Sequence, residues 1–185
     1  MASRKRNAPK KAAAKKAATK KAPAKAAAKR KPAKRKVAAI PKGYHTATPY
    51  LIARGAGRAL EFYTRAFGAQ EVGERFTGPD GGLIHAQVRI GDSVVMLTGD
   101  GDEARSPSSA GTVTAIMATY WEDVDAAWER ALAAGAEVIY PLADQFYGER
   151  GGRLRDPFGH QWMLSQVIED VSPEEMERRG AEFFG

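Results

Sequence analysis

Ala59-Leu60-Glu61-Phe62-Tyr63-Thr64-Arg65-Ala66-Phe67-Gly68, followed by Ala69-Gln70-Glu71-Val72, carries a complete helix-to-strand pattern. Leu60, Tyr63 and Phe67 fall at i, i+3 and i+7, one face of a helix, and Gly68 stands where a helix takes its C′ residue. The pattern recurs downstream. Asp123 is a good N-cap, and Val124, Trp128, Ala131 and Leu132 form an apolar stripe that ends at Gly135. Ala136-Glu137-Val138-Ile139-Tyr140 then supplies the following strand. Gly68 and Gly135 lie 67 residues apart, and so do Met96-Leu97-Thr98 and Met163-Leu164-Ser165. Two features sharing one offset predict a duplicated unit. Each unit reads strand, helix, three strands, with modules over about 44–100 and 112–168. The predicted class is α+β, with βαβββ modules forming a curved mixed sheet around a cavity.

Faces of the first hairpin follow from its turn. Ile84–Ile90 and Ser93–Thr98 flank Gly91-Asp92, a two-residue connection. Pairing Ile90 with Ser93 sets Gln87 opposite Met96. Alternation places Ile84, Ala86, Val88, Ile90, Val95 and Leu97 on an apolar face that packs on a helix. His85, Gln87, Arg89, Val94, Met96 and Thr98 share the other face, whose mixed character suits a cavity wall.

The 185 residues suffice for one domain and a tail. Cysteine is absent, which excludes disulfides, thiolate nucleophiles and Cys-ligated metal sites. His45, His85 and His160 are the only histidines. No run approaches the ~18 apolar residues of a membrane span. These features predict no membrane partner and a cytoplasmic location.

Charge divides the chain. Residues 1–42 hold 17 Lys and Arg and no Asp or Glu, leaving 12 basic against 22 acidic residues beyond them, a net of −10. The expected organisation is a disordered basic arm (1–42), a folded domain (43–171) and a C-terminal helix (172–185). Ser172-Pro173-Glu174-Glu175 reads as the capping box of that helix. The arm contains no Phe, Trp, Tyr or Leu, so it lacks apolar surface to offset its chain entropy. Lysine pairs recur every five residues, at Lys10-Lys11, Lys15-Lys16 and Lys20-Lys21. At ~100° per residue the charges spiral around a helix rather than sharing a face, unlike an interfacial membrane helix.

Such a segment suits a polyanion held by counterion release, without base readout. Lys25, Lys29, Arg30, Lys31, Lys34, Arg35 and Lys36 complete the expected contact set for non-specific DNA or RNA, which implies nucleoid association. The pattern resembles the lysine–alanine–proline tails of linker histones. A solubilising tail, perched on nothing or on the acidic domain, is the plainer reading. A secretory signal is excluded by the missing apolar stretch, and a transit peptide is disfavoured by the scarcity of Ser.

Beyond the arm, Thr48-Pro49-Tyr50-Leu51, Ala59–Ala69, His85-Ala86 with Arg89–Val94, and Asp156-Pro157-Phe158-Gly159-His160-Gln161-Trp162 resemble the vicinal oxygen chelate superfamily, in its PhnB-like branch. Glyoxalase I, bleomycin-resistance proteins and extradiol dioxygenases belong to that superfamily. The resemblance covers roughly residues 44–178. It implies a small-molecule cavity, a homodimer and, in metal-dependent members, His, Glu or Gln ligands on the first and last strand of each module. Carried over, those positions fall near Thr48, Met96, Ile116 and Met163, none a fitting ligand for Zn²⁺, Ni²⁺ or Fe²⁺. The expectation is therefore no metal and no cofactor.

The resemblance also makes Asp144–Gly152 a loop across the cavity mouth. Phe146 and Tyr147 are then candidates to stack on a ligand, and Arg150 to hold an anion. The candidate pocket is His85, Gln87, Arg89, Met96, Trp121, Phe146, Tyr147, Glu149 and Arg150, with the catalytic residues unknown. The leading expectation is a metal-free binding protein, of the drug-sequestering kind, tethered to nucleic acid. One alternative is a metal-dependent lyase or dioxygenase-like enzyme using His85 or Glu149. Another is a DNA-associated structural or regulatory module.

Overall fold

The structure, a computed structural model, describes residues 37–185. The arm's nucleic-acid candidates, Lys10 to Lys36, lie outside the described residues.

Strand β1 (Tyr50–Ile52) leads into helix α1 (Ala56–Phe67), then β2 (Gln70–Glu71), β3 (Phe76–Thr77), β4 (Leu83–Ile90) and β5 (Ser93–Thr98). A short helix α2 (Pro107–Ala110) precedes the second module. That module is β6 (Ile116–Tyr120), α3 (Val124–Ala134), β7 (Glu137–Asp144), β8 (Glu149–Arg155) and β9 (Gln161–Val167). Helix α4 (Pro173–Phe184) follows. The sheet orders β1-β5-β4-β2 and β6-β9-β8-β7 are the same topology written twice. In each, the first strand runs parallel to the last. The α+β class and the duplication are as expected, with two mixed sheets, one per module. The first module splits into β2 and β3 what the second makes as one bulged strand, β7.

Local chemistry explains the repeat. Gly68 and Gly135 both take left-handed φ, 63° and 110°, so each helix stops where a Cβ would be strained. The following alanines close the ends, Ala69 N donating to Tyr63 O (3.2 Å) and Ala136 N to Ala131 O (3.0 Å). The Asp123 carboxylate caps α3 by accepting from Ala126 N.

Helix α1 packs on both β4 and α3, so it is buried around a wide arc. Phe62 is buried as completely as Leu60, Tyr63 and Phe67. Ala127 rather than Leu132 completes the buried stripe of α3; Leu132 is exposed. The two modules share one core, in which Phe67 of α1 lies 4.6 Å from Trp162 of β9, ring centre to ring centre. The hairpin register is the expected one, Ile90 facing Ser93 and Gln87 facing Met96. Ala86, Val88, Ile90, Val95 and Leu97 face the helices. Ile84 does not, and is 57% exposed. It sits at the end of β4 that pairs with β3, beside Gly78 and away from the shared core.

Candidate functional site

With the helices gathered in the shared core, the opposite face of each sheet is left open. On the first sheet that face carries Tyr50, Met96 and Gln87 in one cross-strand row, with His85 and Arg89 flanking on β4. Tyr50 is half exposed, while His85, Gln87, Arg89 and Met96 are partly buried. A hydrogen-bonded chain crosses the face. Tyr44 O–H donates to Gln87 Oε1, and Gln87 Nε2 donates to His85 Nε2 (2.9 Å). Neutral His85 then carries its proton on Nδ1 and donates it to Tyr50 Oη (3.0 Å). The Tyr50 hydroxyl then keeps its own hydrogen to donate. Both ring nitrogens of His85 are therefore used, which removes it as a metal ligand or ready base in this arrangement. Arg89 lies against Gly43, where a Cβ would come within 3.1 Å of its Nη2. Among the described residues no carboxylate pairs with it.

Row for row, the second sheet sets Ala118, Met163, Arg153 and Tyr140 side by side. The next row holds Tyr120, Ser165 and Gly151. A cavity of about 150 Å³ opens here, lined among others by Tyr140, Gln145, Tyr147, Arg153, Met163 and Ser165. The Arg153 guanidinium carbon lies 5.1 Å from the centre of the Tyr140 ring. Tyr120 O–H donates to Glu149 Oε1 (3.0 Å), and this bond, with the carboxylate's charge, raises the Tyr120 pKa. Burial and then the Glu149 charge raise that of Tyr147. Sequence reasoning missed Arg153, Tyr140 and Ser165. Alternation along β8 and β9 from the Met163 anchor is the signal that points to Arg153 and Ser165.

Other candidates divide. Arg150 donates to Asp125 at 2.9 and 2.7 Å and to Asp144 at 2.9 Å, and those two carboxylates raise its pKa further. It is therefore an intramolecular clamp rather than a free anion holder. Phe146 packs with Phe183 and Phe184 of α4 (5.3 and 5.8 Å), while Tyr147 reaches the cavity. Trp121 stacks near Phe67 (6.1 Å) and donates from Nε1 to Thr119 Oγ1 (2.9 Å). It lines a separate groove with His45 and the Gly91–Val95 segment. His160 is structural, its Nε2 lying 3.0 Å from the Ile52 carbonyl oxygen of the other module.

In the parallel ladders Met96 pairs with Tyr50 and Met163 with Ala118; the carried-over Thr48 and Ile116 each stand two residues earlier in the chain than those partners. The carried-over set is Thr48, Met96, Ile116 and Met163. Two thioethers, a hydroxyl and a branched alkyl chain do not fit the imidazole–carboxylate site that a hard or borderline divalent metal needs. No group of three or more His, Asp or Glu side chains able to hold a metal occurs among the described residues.

A family model described as the Glyoxalase/Bleomycin resistance protein/Dioxygenase superfamily matches residues 44–164. The chain belongs to that superfamily. An uncharacterized protein of Mycobacterium tuberculosis is 42% identical over 135 residues, which cover 70% of this chain and 79% of that one. TioX from Micromonospora sp. ML1 is 28% identical with a TM-score of 0.52, the match covering 69% of this chain and 100% of TioX. A PhnB protein from Bacillus cereus, 20% identical with a TM-score of 0.52, covers 66% of this chain and 99% of its own, and shares the fold. As a superfamily member the chain keeps the duplicated scaffold. No helix among the described residues is long and apolar enough to cross a membrane.

Proposed function

We propose that this superfamily member binds and sequesters a small planar or anionic molecule without a metal, and that its basic arm tethers it to nucleic acid. The observation that carries the metal-free reading is the set Thr48, Met96, Ile116 and Met163 at the positions carried over from the superfamily's metal ligands. Superfamily lyase chemistry polarises substrate oxygens on a metal, and these side chains do not supply that metal's ligands. The faces instead offer hydrogen-bond donors, aromatic rings and arginine, which are recognition groups.

A second copy of the chain completes the cavity. Supporting this are the open faces themselves: Tyr50, Tyr120 and Tyr140 are 50%, 63% and 59% exposed on surfaces that would otherwise wall a pocket. Exposed aromatic patches of this kind mark interaction sites. Nucleoid association in the cytoplasm follows from the arm's 17 positive charges, which suit phosphate neutralisation.

The test is elemental analysis of full-length protein purified without chelator, with mass spectrometry of small molecules retained from cell extract and sedimentation velocity for the dimer. The expected result is transition metal far below one per chain, a retained organic molecule and a dimer. Near-stoichiometric Ni, Zn, Fe or Mn, removed by EDTA together with a lyase or dioxygenase activity, would overturn the reading in favour of an enzyme.

A further inference from the structure

Strand pairing sets Arg153 opposite Met163 and Gly151 opposite Ser165, two residues along on the same face. Ser165 is 1% exposed, yet its Oγ has no hydrogen-bond partner, and the buried Nε of Arg153 has none either. Buried polar groups are almost always paired, so two orphans lining one cavity call for a partner from outside the chain. Gly151 matters here, because a Cβ at that position would come within 3.0 Å of the Ser165 hydroxyl.

Arg153 also differs from its neighbours on the same strand. Arg150 is held by Asp125 and Asp144, and Arg155 lies 3.7 Å from Glu137. No carboxylate pairs with Arg153 among the described residues. Its guanidinium instead lies over Tyr140, which orients the plane while leaving donor edges free. The nearby acid, Glu149, already accepts from Tyr120. The equivalent position in the first module is Gln87, opposite Met96, and its amide is occupied by Tyr44 and His85. Of these two equivalent positions, Gln87 and Arg153, only the second carries a charge.

We propose that the concave face of the second sheet holds the carboxylate of a planar aromatic ligand, with Arg153 and Ser165 as its donors. The guanidinium fork matches a carboxylate in two-point geometry, and the Ser165 hydroxyl supplies a third donor beside it. Tyr140, Tyr147 and Met163 wall the remaining space. The cavity of about 150 Å³ is of the size that accepts a single benzene ring. This inference rests on the small-molecule reading above and names the chemical class of its ligand.

The probe is benzoate, titrated by calorimetry or NMR into the full-length chain, with benzamide and inorganic phosphate as comparisons. The expected result is saturable benzoate binding that Arg153→Gln weakens at least about tenfold, the usual worth of a charge-assisted bond. Arg153→Lys should retain part of the affinity. Ser165→Ala should weaken binding a few-fold without lowering the melting temperature, since it deletes an unpaired hydroxyl. A purely structural role for Ser165 would move the melting temperature instead, so this variant keeps the test meaningful if Arg153→Gln folds poorly. Benzamide should bind about tenfold more weakly, and phosphate should not displace benzoate at equal concentration. Equal affinity of wild type and folded Arg153→Gln, equal affinity for benzamide, or displacement by phosphate overturns the proposal. If extract yields a retained molecule whose binding ignores Arg153→Gln, this inference fails while the sequestration reading stands. If wild type retains nothing and benzoate does not bind, both fail.

Discussion

Asp156 is 3% exposed and has no cationic partner among the described residues, yet it is the most heavily bonded side chain of the module junction. Its Oδ2 accepts from Tyr63 O–H (2.9 Å) and Trp162 Nε1 (3.0 Å), and its Oδ1 from Phe158 N and His160 N (2.9 Å each). Four donors replace the water this carboxylate gives up. Asp156→Ala orphans all four, and urea unfolding should show a loss of about 3 kcal/mol or more, since each bond to a charged group is worth roughly 1.5–3. Burial, then the Asp156 charge and its hydrogen bond, raise the Tyr63 pKa well above the ordinary phenol value of 10.0. The folded protein therefore keeps the proton that the unfolded chain loses near pH 10. Stability contributed by Tyr63 should be complete below about pH 10 and fall as pH rises beyond it. Unfolding midpoints from pH 8 to 11.5 test this. Tyr63→Phe should lower the plateau and flatten the alkaline decline; an unchanged decline would mean that other groups cause it.

At the scale of elements, the second module is held by close approach between α3 and β8. Gly152 is buried beneath Trp128, and a Cβ there would lie 2.7 Å from the indole ring and 2.9 Å from Leu142 Cα. One neighbour is a large ring fixed in the core and the other is backbone, so neither yields easily. Gly152→Ala should cost about 1–3 kcal/mol by overpacking, read as a lower denaturation midpoint. Gly57→Ala is the contrast, since a Cβ there meets nothing within 4 Å. In the first turn of α1 it should stabilise by up to about 0.5 kcal/mol through helix propensity. The helices were plain in the sequence because their stripes and terminal glycines are local features. The break that makes β2 and β3 of what is one strand in the second module was not, because strand continuity depends on the partner strand.

The whole molecule couples a domain of net −10 to an arm of 17 positive charges. If the proposed tether is right, duplex DNA binding should be strong at low salt and indifferent to base sequence. With about 8 phosphate contacts the log–log salt slope should be about −7. Deleting residues 1–42 should abolish binding, and replacing Lys15 and Lys16 should shallow the slope by no more than about 2 units. Salt titrations of both forms on two unrelated duplexes decide it. Equal affinity of the truncated form would assign DNA binding to the domain and reduce the arm to a solubilising tail.

Periodicity, turn chemistry and the 67-residue offset were enough to establish duplicated βαβββ modules, the hairpin register and the face shared by His85, Gln87, Arg89 and Met96. These follow from short-range rules: a pleat alternates every residue, and a two-residue turn admits one pairing. The candidate site was legible in part for the same reason. What the sequence could not specify is which charges are already spent. Arg150 and Arg153 sit on one strand and look alike in the chain, but Asp125 arrives from α3 to neutralise the first, while the second meets Tyr140 and an unpaired serine. Likewise Tyr50 and Ala118 face the two methionines because parallel pairing between distant strands is set by the packed core. Ion pairing and parallel register are long-range outcomes of folding, and the tertiary structure alone decides them.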